Sequence, residues 1–119
     1  MTFSLCYTEF MQCDTAIIIL NWNGRQHLET CLRSVFKQSY KNFQVMVVDN
    51  GSDDGSVDFI KNNFPQAEII INKKNLGFAE GNNVGIRKAL TDKQIKYIVT
   101  LNNDTEVEVD WLSKLIELI

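Results

Sequence analysis

The sequence has little proline, no long apolar run and no excess of positive charge. One proline among 119 residues, with 45% hydrophobic and 23% charged residues, excludes collagen-like and disordered chains. Twelve Lys and Arg residues against 15 Asp and Glu give a net charge of −3, so a broadly basic nucleic-acid-binding face is not expected. Apolar runs such as residues 16–20 are far shorter than the roughly 20 residues that cross a bilayer.

Cysteine is also scarce. The three cysteines are an odd number without zinc-type spacing, which excludes a disulfide scaffold and a cysteine zinc site. Residues 1–14 have neither the positively charged region nor the long apolar region of a secretory signal. We therefore expect three free thiols in a reducing cytoplasmic compartment, and we treat residues 1–14 as a poorly defined N-terminal extension.

The rest of the chain alternates between short apolar runs and amphipathic stretches. Four β-branched runs without alternating polar residues predict strands that are buried on both faces. They occupy residues 16–20, 44–49, 68–72 and 97–101. Between them, apolar residues recur at helical spacing, as Leu28, Leu32 and Val35 do in the first stretch. This order predicts an α/β fold with a mainly parallel sheet, flanking helices and right-handed crossovers.

The last predicted helix follows Asp110, a plausible N-cap, and reaches Ile119 inside an apolar stripe with no terminating residue. A helix with one apolar face needs another surface against that face. We therefore expect the sequence to be a piece of a longer protein; the alternative is a helix that docks on the sheet and frays. The uncovered stripe also predicts self-association through this helix.

Polar side chains follow each predicted strand, at the edge where open α/β sheets bind ligands. They include Asn21, Asp49, Asn72, Asn103 and Asp104. The first of these turns, residues 21–26, has one glycine, which excludes a dinucleotide fingerprint, and no P-loop pattern occurs elsewhere. Trp22 in that turn offers a flat surface for a base, or else packs at the strand edge.

Two aspartates have positions that favour ligand binding. Asp49 ends the second strand, where an acceptor for a ribose hydroxyl or a base N–H is often found. Asp104 follows the fourth strand, and one or two carboxylates with substrate phosphates commonly hold Mg²⁺ or Mn²⁺. The alternative for Asp104 is a strand-end turn or cap, and the alternative for Asp53 and Asp54 is a plain turn.

Three glycines recur at four-residue spacing, at Gly77, Gly81 and Gly85. On a helix they line one side and permit close approach of the backbone to a neighbour or a ligand. Asn82, within the same segment, adds an amide group that both donates and accepts hydrogen bonds.

Five stretches together resemble the family 2 nucleotide-sugar glycosyltransferases. The similarity covers about residues 15–119 in the family's order and spacing. It lies in residues 17–23, 31–40, 47–56, 75–85 and 101–104. The form of residues 75–85 resembles the rhamnosyltransferase-type branch. The resemblance implies a truncated GT-A (Rossmann-like) fold, in which residues 15–119 form the nucleotide-sugar-binding half.

The resemblance also implies roles for individual residues. Asn21 and Trp22 would line the nucleobase pocket, and Asp49 would accept a hydrogen bond from the base or the ribose. Asn82 would lie near the nucleotide.

Residues 102–104 occupy the place of the family's Asp-x-Asp motif. By resemblance, Asn103 would lie near the ribose, and Asp104 would be the carboxylate that binds Mg²⁺ or Mn²⁺. Only one of the three positions is acidic, which departs from a full acidic motif.

The implied reaction is metal-assisted sugar transfer, with inversion, from a UDP- or dTDP-linked donor to a hydroxyl of a glycan or lipid-linked acceptor, as in polysaccharide biosynthesis. Inversion needs a general base, which the resemblance places downstream, outside this chain. The alternative is a non-catalytic module that binds a nucleotide or nucleotide sugar. We expect a cytoplasmic location, peripheral to the inner face of the membrane in a full-length protein.

Overall fold

The computed structural model describes residues 13–119, in which four strands and four helices alternate along the chain. The elements are β1 (Thr15–Asn21), α1 (Arg25–Phe36), β2 (Phe43–Asp49), α2 (Ser56–Asn63), β3 (Glu68–Ile71), α3 (Phe78–Leu90), β4 (Tyr97–Asn102) and α4 (Trp111–Glu117). This order confirms the predicted α/β alternation. The expected extension of residues 1–14 lies almost entirely outside the described residues, so its boundary stays a prediction.

The four described strands form one parallel sheet in the order β3-β2-β1-β4. The chain winds outward from β1 through β2 to β3, and then crosses back to place β4 on the other side of β1. In open parallel sheets such a reversal opens a crevice at the carboxyl ends of the two diverging strands. The topology therefore predicts a crevice at the carboxyl ends of β1 and β4.

The central strands and the edge strands differ in burial. β1 and β2 are buried along nearly their whole length, whereas β3 and β4 are half-exposed or exposed at every position. The prediction of burial on both faces is therefore confirmed for β1 and β2 and wrong for β3 and β4. The reason is strand order, because β3 and β4 are the edges of the described sheet.

Two cores lie on opposite faces of the sheet, because side chains of a strand point alternately to either side. Ile17 and Val47 pack with apolar side chains of α1, α2 and α4 in the larger core. Ile18 packs with Ala89 of α3 in the smaller one. Odd-numbered residues of β1 thus face α1, and even-numbered ones face α3. The same alternation continues to the carboxyl ends of the strands.

α3 lies close against the sheet because two of its residues lack a side chain. A Cβ at Gly85 would lie 2.6 Å from Ile18 Cγ2, and one at Gly81 would lie 2.5 Å from Leu20 Cδ1. The predicted close approach is therefore confirmed for Gly81 and Gly85, toward the sheet. Gly77 instead precedes the helix, at a φ of +87°, in the left-handed region that favours glycine.

A buried glutamine connects the end of α1 to the start of α4. The Gln38 Nε2 donates to the Glu108 carbonyl at 2.6 Å, and its Oε1 accepts the Leu112 N–H at 2.9 Å. Asp110 occupies the predicted N-cap position, but its side chain makes no capping hydrogen bond. Gln38 therefore satisfies the free N–H of α4 that a capping side chain would otherwise take.

α4 is well covered only near its start. Leu112 is fully buried, whereas Leu118 is 84% exposed and Ile119 is 77% exposed. The predicted apolar stripe is therefore partly packed in the described chain, and self-association through it stays a prediction. Within residues 13–119, every helix is too short or too polar to traverse a bilayer.

The expectation of three free thiols is wrong for Cys13, which is disulfide-bonded. Cys31 is a free thiol, buried on the inner face of α1 as the apolar pattern predicts. A count of cysteines could not distinguish the two positions, because pairing depends on which side chains the fold brings together.

We expect replacement of Gln38 by leucine to lower the free energy of unfolding by about 2 kcal/mol, because the buried Leu112 N–H loses its acceptor. Urea unfolding followed by circular dichroism measures the change. Gln94→Leu is the matched control, since Gln94 is exposed. Equal stabilities of the two variants would contradict the capping role of Gln38.

Candidate functional site

The carboxyl ends of the central strands are linked by a buried hydrogen-bond network. The Asp49 network comprises Asn21, Asp49, Ser52 and Asn103. Asp49 Oδ1 accepts from the Asn21 amide at 2.9 Å and from the Ser52 hydroxyl at 2.8 Å, and its Oδ2 accepts the Ser52 N–H at 2.8 Å. Asn21 Oδ1 accepts from the Asn103 amide at 2.8 Å. The network therefore joins the loops that follow β1, β2 and β4.

Burial explains why Asp49 needs the hydrogen bonds of this network. Asn21 is 0% exposed and Asp49 is 1% exposed. A carboxylate removed from water is costly unless hydrogen bonds compensate it. Asp49 has three such bonds from within the protein, so its charge is used to hold the loops in place.

Gly24 makes the contact between the first and last loops possible. A Cβ at position 24 would lie 2.5 Å from Asn21 Oδ1 and would overlap the amide of Asn103. Its φ of −103° is open to any residue, so the requirement is for space. The sequence pattern gave no reason to single out this glycine, because the contact joins residues that are far apart along the chain.

A second network holds the loop between β3 and α3. This Asn50 network comprises Asn50, Asn72, Asn75 and Gly77. The Asn50 amide donates to Asn75 Oδ1 at 3.2 Å and to the Gly77 carbonyl at 3.1 Å. Asn50 Oδ1 accepts from the Asn72 amide at 2.9 Å. Asn72 follows a predicted strand, as the sequence indicated, whereas Asn50, only 1% exposed, has a structural role that the sequence did not reveal.

A cleft of about 380 Å³, which we call the edge cleft, lies at the reversal between β1 and β4. Two of its side chains are exposed aromatics, since Trp22 is 54% exposed and Phe78 is 69% exposed. The others are mainly amides, with one carboxylate. The lining residues are Leu20, Trp22, Asn50, Asn75, Gly77, Phe78, Asn102, Asn103 and Asp104. The edge cleft therefore combines flat apolar rings with hydrogen-bonding groups.

The structure brings half of the predicted site residues to the edge cleft. Trp22, Asn103 and Asp104 line it directly. Asn21 and Asp49 belong to the buried network and do not line it. Their direct contact with a nucleotide stays a prediction.

Asn82 is likewise absent from the lining of the edge cleft. It lies within α3, is 8% exposed and donates its amide to the Phe78 carbonyl at 3.1 Å. The structure therefore gives Asn82 a bond that supports a cleft residue, and its predicted place near the nucleotide stays a prediction.

The oxygen atoms around Asp104 fit a divalent cation site that the phosphates of a ligand would complete. Asp104 is exposed and lies beside the amides of Asn102 and Asn103 in the lining of the edge cleft. Within residues 13–119, no three His, Cys, Asp or Glu side chains form a group that could hold a metal ion. Mg²⁺ is commonly held by one or two carboxylates together with substrate phosphates. Asp104 alone therefore fits a substrate-completed site and not a preformed one.

Cys31 lies beneath this turn and is not a candidate ligand or nucleophile. Burial raises the pKa of its thiol to about 11; a hydrogen bond from the Thr105 N–H opposes this, and the charge of Asp104 adds to it. The thiol approaches the Asn102 carbonyl at 3.7 Å. Because only the thiolate binds metal or attacks, Cys31 serves as a packing residue under the turn.

The structure supports the turn interpretation of Asp54. Burial opposes ionisation of this carboxylate, but hydrogen bonds from the Ser56 hydroxyl and from the N–H groups of Arg25 and Ser56 outweigh it, and they lower its pKa. Asp54 thereby links the start of α1 to the start of α2. It is not among the residues that line the edge cleft.

Comparison with known sequences gives consistent matches. Residues 16–119 match the model of the family described as glycosyl transferase family 2. The putative teichuronic acid biosynthesis glycosyltransferase TuaG of Bacillus subtilis is 30% identical over 105 residues, which are 86% of this chain and 40% of that protein. An uncharacterized glycosyltransferase of Haemophilus influenzae is 27% identical over 104 residues, which are 85% of this chain and 31% of that protein. The chain thus spans well under half the length of both relatives.

Solved structures show the same fold. Residues 1–349 of S. aureus TarS superpose with a TM-score of 0.78 at 19% identity, over 89% of this chain and 32% of that one. TarS has been crystallised with UDP and with UDP-GlcNAc. The mannosyltransferase PcManGT of Pyrobaculum calidifontis, in complex with GDP-Man and Mn²⁺, gives a TM-score of 0.65 at 20% identity, over 80% and 28% of the two chains. The predicted GT-A fold is confirmed.

We expect Asp49→Asn to lower the free energy of unfolding by about 2 kcal/mol, because the new amide directs a donor toward the Asn21 amide or the Ser52 N–H, which are donors themselves. The measurement is urea unfolding at neutral pH.

Asp53→Asn is the control for this substitution. Asp53 is exposed, and its local bond is made by its backbone N–H, which donates to Asn23. If both substitutions leave stability unchanged, the Asp49 network does not stabilise the loops.

Proposed function

Because the chain belongs to glycosyl transferase family 2, we propose that it forms the donor-binding part of an inverting glycosyltransferase. The observation that carries this proposal is the edge cleft, where Trp22 of the loop after β1 meets Asn103 and Asp104 of the loop after β4. Their meeting point is the strand reversal at which open α/β sheets bind ligands. The donor would be a nucleoside diphosphate sugar linked to UDP or dTDP.

In this proposal the edge cleft recognises the donor through stacking and amide contacts. Trp22 is more than half exposed and offers its ring to the nucleobase. Asn103 lies near the ribose, and its amide orientation is fixed by the bond to Asn21. Asp49 then acts on the donor chiefly by holding Asn21. The UDP complexes of the structurally similar TarS support a uridine nucleotide as the first ligand to test.

We propose that Asp104 holds Mg²⁺ or Mn²⁺ together with the donor's diphosphate. The ion, when bound, neutralises charge on the leaving diphosphate. The exposed position of Asp104 allows it to reach a phosphate-bound ion, and the neighbouring Asn102 and Asn103 provide amide oxygens. The Mn²⁺ complex of PcManGT supports the same class of ion.

The acceptor side of the reaction is proposed for a longer protein, since the relatives extend well beyond the matched region. The general base that takes the proton of the acceptor hydroxyl would belong to that part. We propose a glycan or lipid-linked acceptor, a role in polysaccharide biosynthesis and a cytoplasmic site of action at the membrane's inner face. A rhamnosyl donor and self-association through α4 are further parts of this proposal.

A second candidate is a module that binds a nucleotide sugar without turnover. The observation that favours it is the single carboxylate, Asp104, among the residues that line the edge cleft. Both candidates require nucleotide binding, so sugar transfer by the longer protein distinguishes them.

Calorimetric titration with UDP, dTDP and GDP, with and without Mn²⁺, tests donor binding directly. We expect UDP or dTDP to bind, and Mn²⁺ to increase the affinity about tenfold, which corresponds to about 1.4 kcal/mol. A chain that is folded by circular dichroism and binds none of the three nucleotides would exclude both candidate functions.

The proposed role of Asp104 has its own test. Asp104→Ala should abolish the increase in affinity that Mn²⁺ produces, because the only carboxylate in the lining of the edge cleft is removed. Glu106→Ala is the matched control, since Glu106 is an exposed carboxylate two residues away that does not line the edge cleft. Unchanged metal dependence in the Asp104 variant would show that the cation is held elsewhere.

A further inference from the structure

Phe78 is an aromatic residue at an unusual position. It is the first residue of α3 and is 69% exposed, yet it lines the edge cleft with Trp22. Leu90, at the other end of the same helix, is similarly exposed at 66% but lies outside that cleft. A single exposed apolar side chain is ordinary, whereas two exposed rings in one cleft with hydrogen-bonding groups mark a place for a ligand.

The backbone around Phe78 is held on both sides. The Asn50 amide donates to the carbonyl of Gly77, and the Gly77 N–H donates to Asn75 Oδ1 at 2.8 Å. The carbonyl of Phe78 accepts from the Asn82 amide at 3.1 Å. The positive φ of Gly77 provides the turn that leads into the helix. Three hydrogen bonds therefore fix the backbone from which the Phe78 ring projects.

We propose that Phe78 is a donor-binding residue that stacks on one ring of the donor, either the flat nucleobase or the apolar C–H face of the sugar. This inference rests on the proposed function. Its chemistry follows from the edge cleft, where Asn102, Asn103 and Asp104 provide polar contacts and the two aromatic rings provide apolar surface. A nucleotide sugar has both kinds of surface, and stacking on an aromatic ring tolerates different ring chemistries.

Four variants test the proposal. Phe78→Ala removes the ring, Phe78→Leu keeps apolar surface without a flat face, and Phe78→Tyr keeps the flat face. Leu90→Ala is the matched control on the same helix. Affinities for UDP and for UDP-GlcNAc are measured by calorimetry with Mn²⁺ present, and thermal unfolding confirms that each variant is folded.

We expect Phe78→Ala to weaken binding about tenfold, Phe78→Leu to weaken it by a similar factor, and Phe78→Tyr and Leu90→Ala to bind as the unaltered chain does. An equal loss for both ligands assigns the stacking to the nucleobase, and a loss for UDP-GlcNAc alone assigns it to the sugar. Unchanged affinity of Phe78→Ala for both ligands would overturn the proposal, as would full affinity of Phe78→Leu.

The two proposals fail in different ways. If the unaltered chain binds neither of these ligands, nor dTDP or GDP, the proposed function fails and the stacking role fails with it. If the unaltered chain binds UDP and the Phe78 variants bind equally well, only the stacking role is wrong.

Discussion

The site depends on one buried carboxylate. Asp49 is withdrawn from water at the end of a central strand, so it must find its hydrogen bonds within the protein. It finds them in Asn21 and Ser52, and Asn21 in turn orients Asn103. The need to satisfy one charge thus fixes the relative positions of three loops. The groups that line the edge cleft are thereby held in place, although Trp22, Asn103 and Asp104 make no hydrogen bond to Asp49 themselves.

Because side chains alternate along each strand, neighbouring residues at the carboxyl ends face either α1 or the edge cleft. Asn21 and Asp49 continue the face that packs against α1, whereas Leu20 and Asn102, which pair across β1 and β4, line the edge cleft. Asn50 does both, because it lies at the edge cleft but is buried and fixes the loop that presents Phe78. Most of the asparagine side chains at the carboxyl edge of the sheet therefore hold the loops in place, and fewer of them are available to a ligand.

Local pattern was enough to predict the strands, the helices and the edge at which the site lies, because apolar runs and strand-end polar residues are properties of short segments. Exposure of β3 and β4 depends on strand order, which no short segment encodes. The inward position of Asp49 and the space required at Gly24 depend on contacts between distant loops. The position of Phe78 in the edge cleft was not predicted, because an isolated aromatic residue at a helix start resembles a core residue in sequence.

A single exposed carboxylate has a consequence for how the proposed donor and cation would bind. Asp104 offers too few charges to hold Mg²⁺ or Mn²⁺ tightly alone, and in the proposed site phosphate oxygens and water would supply the remaining ligands. Each partner then supplies part of the other's site, so their affinities are linked reciprocally. Because Asn103 is anchored to the Asp49 network, the protein would contribute a rigid part of this proposed joint site, with one carboxylate, and the nucleotide would contribute most of the negative charge.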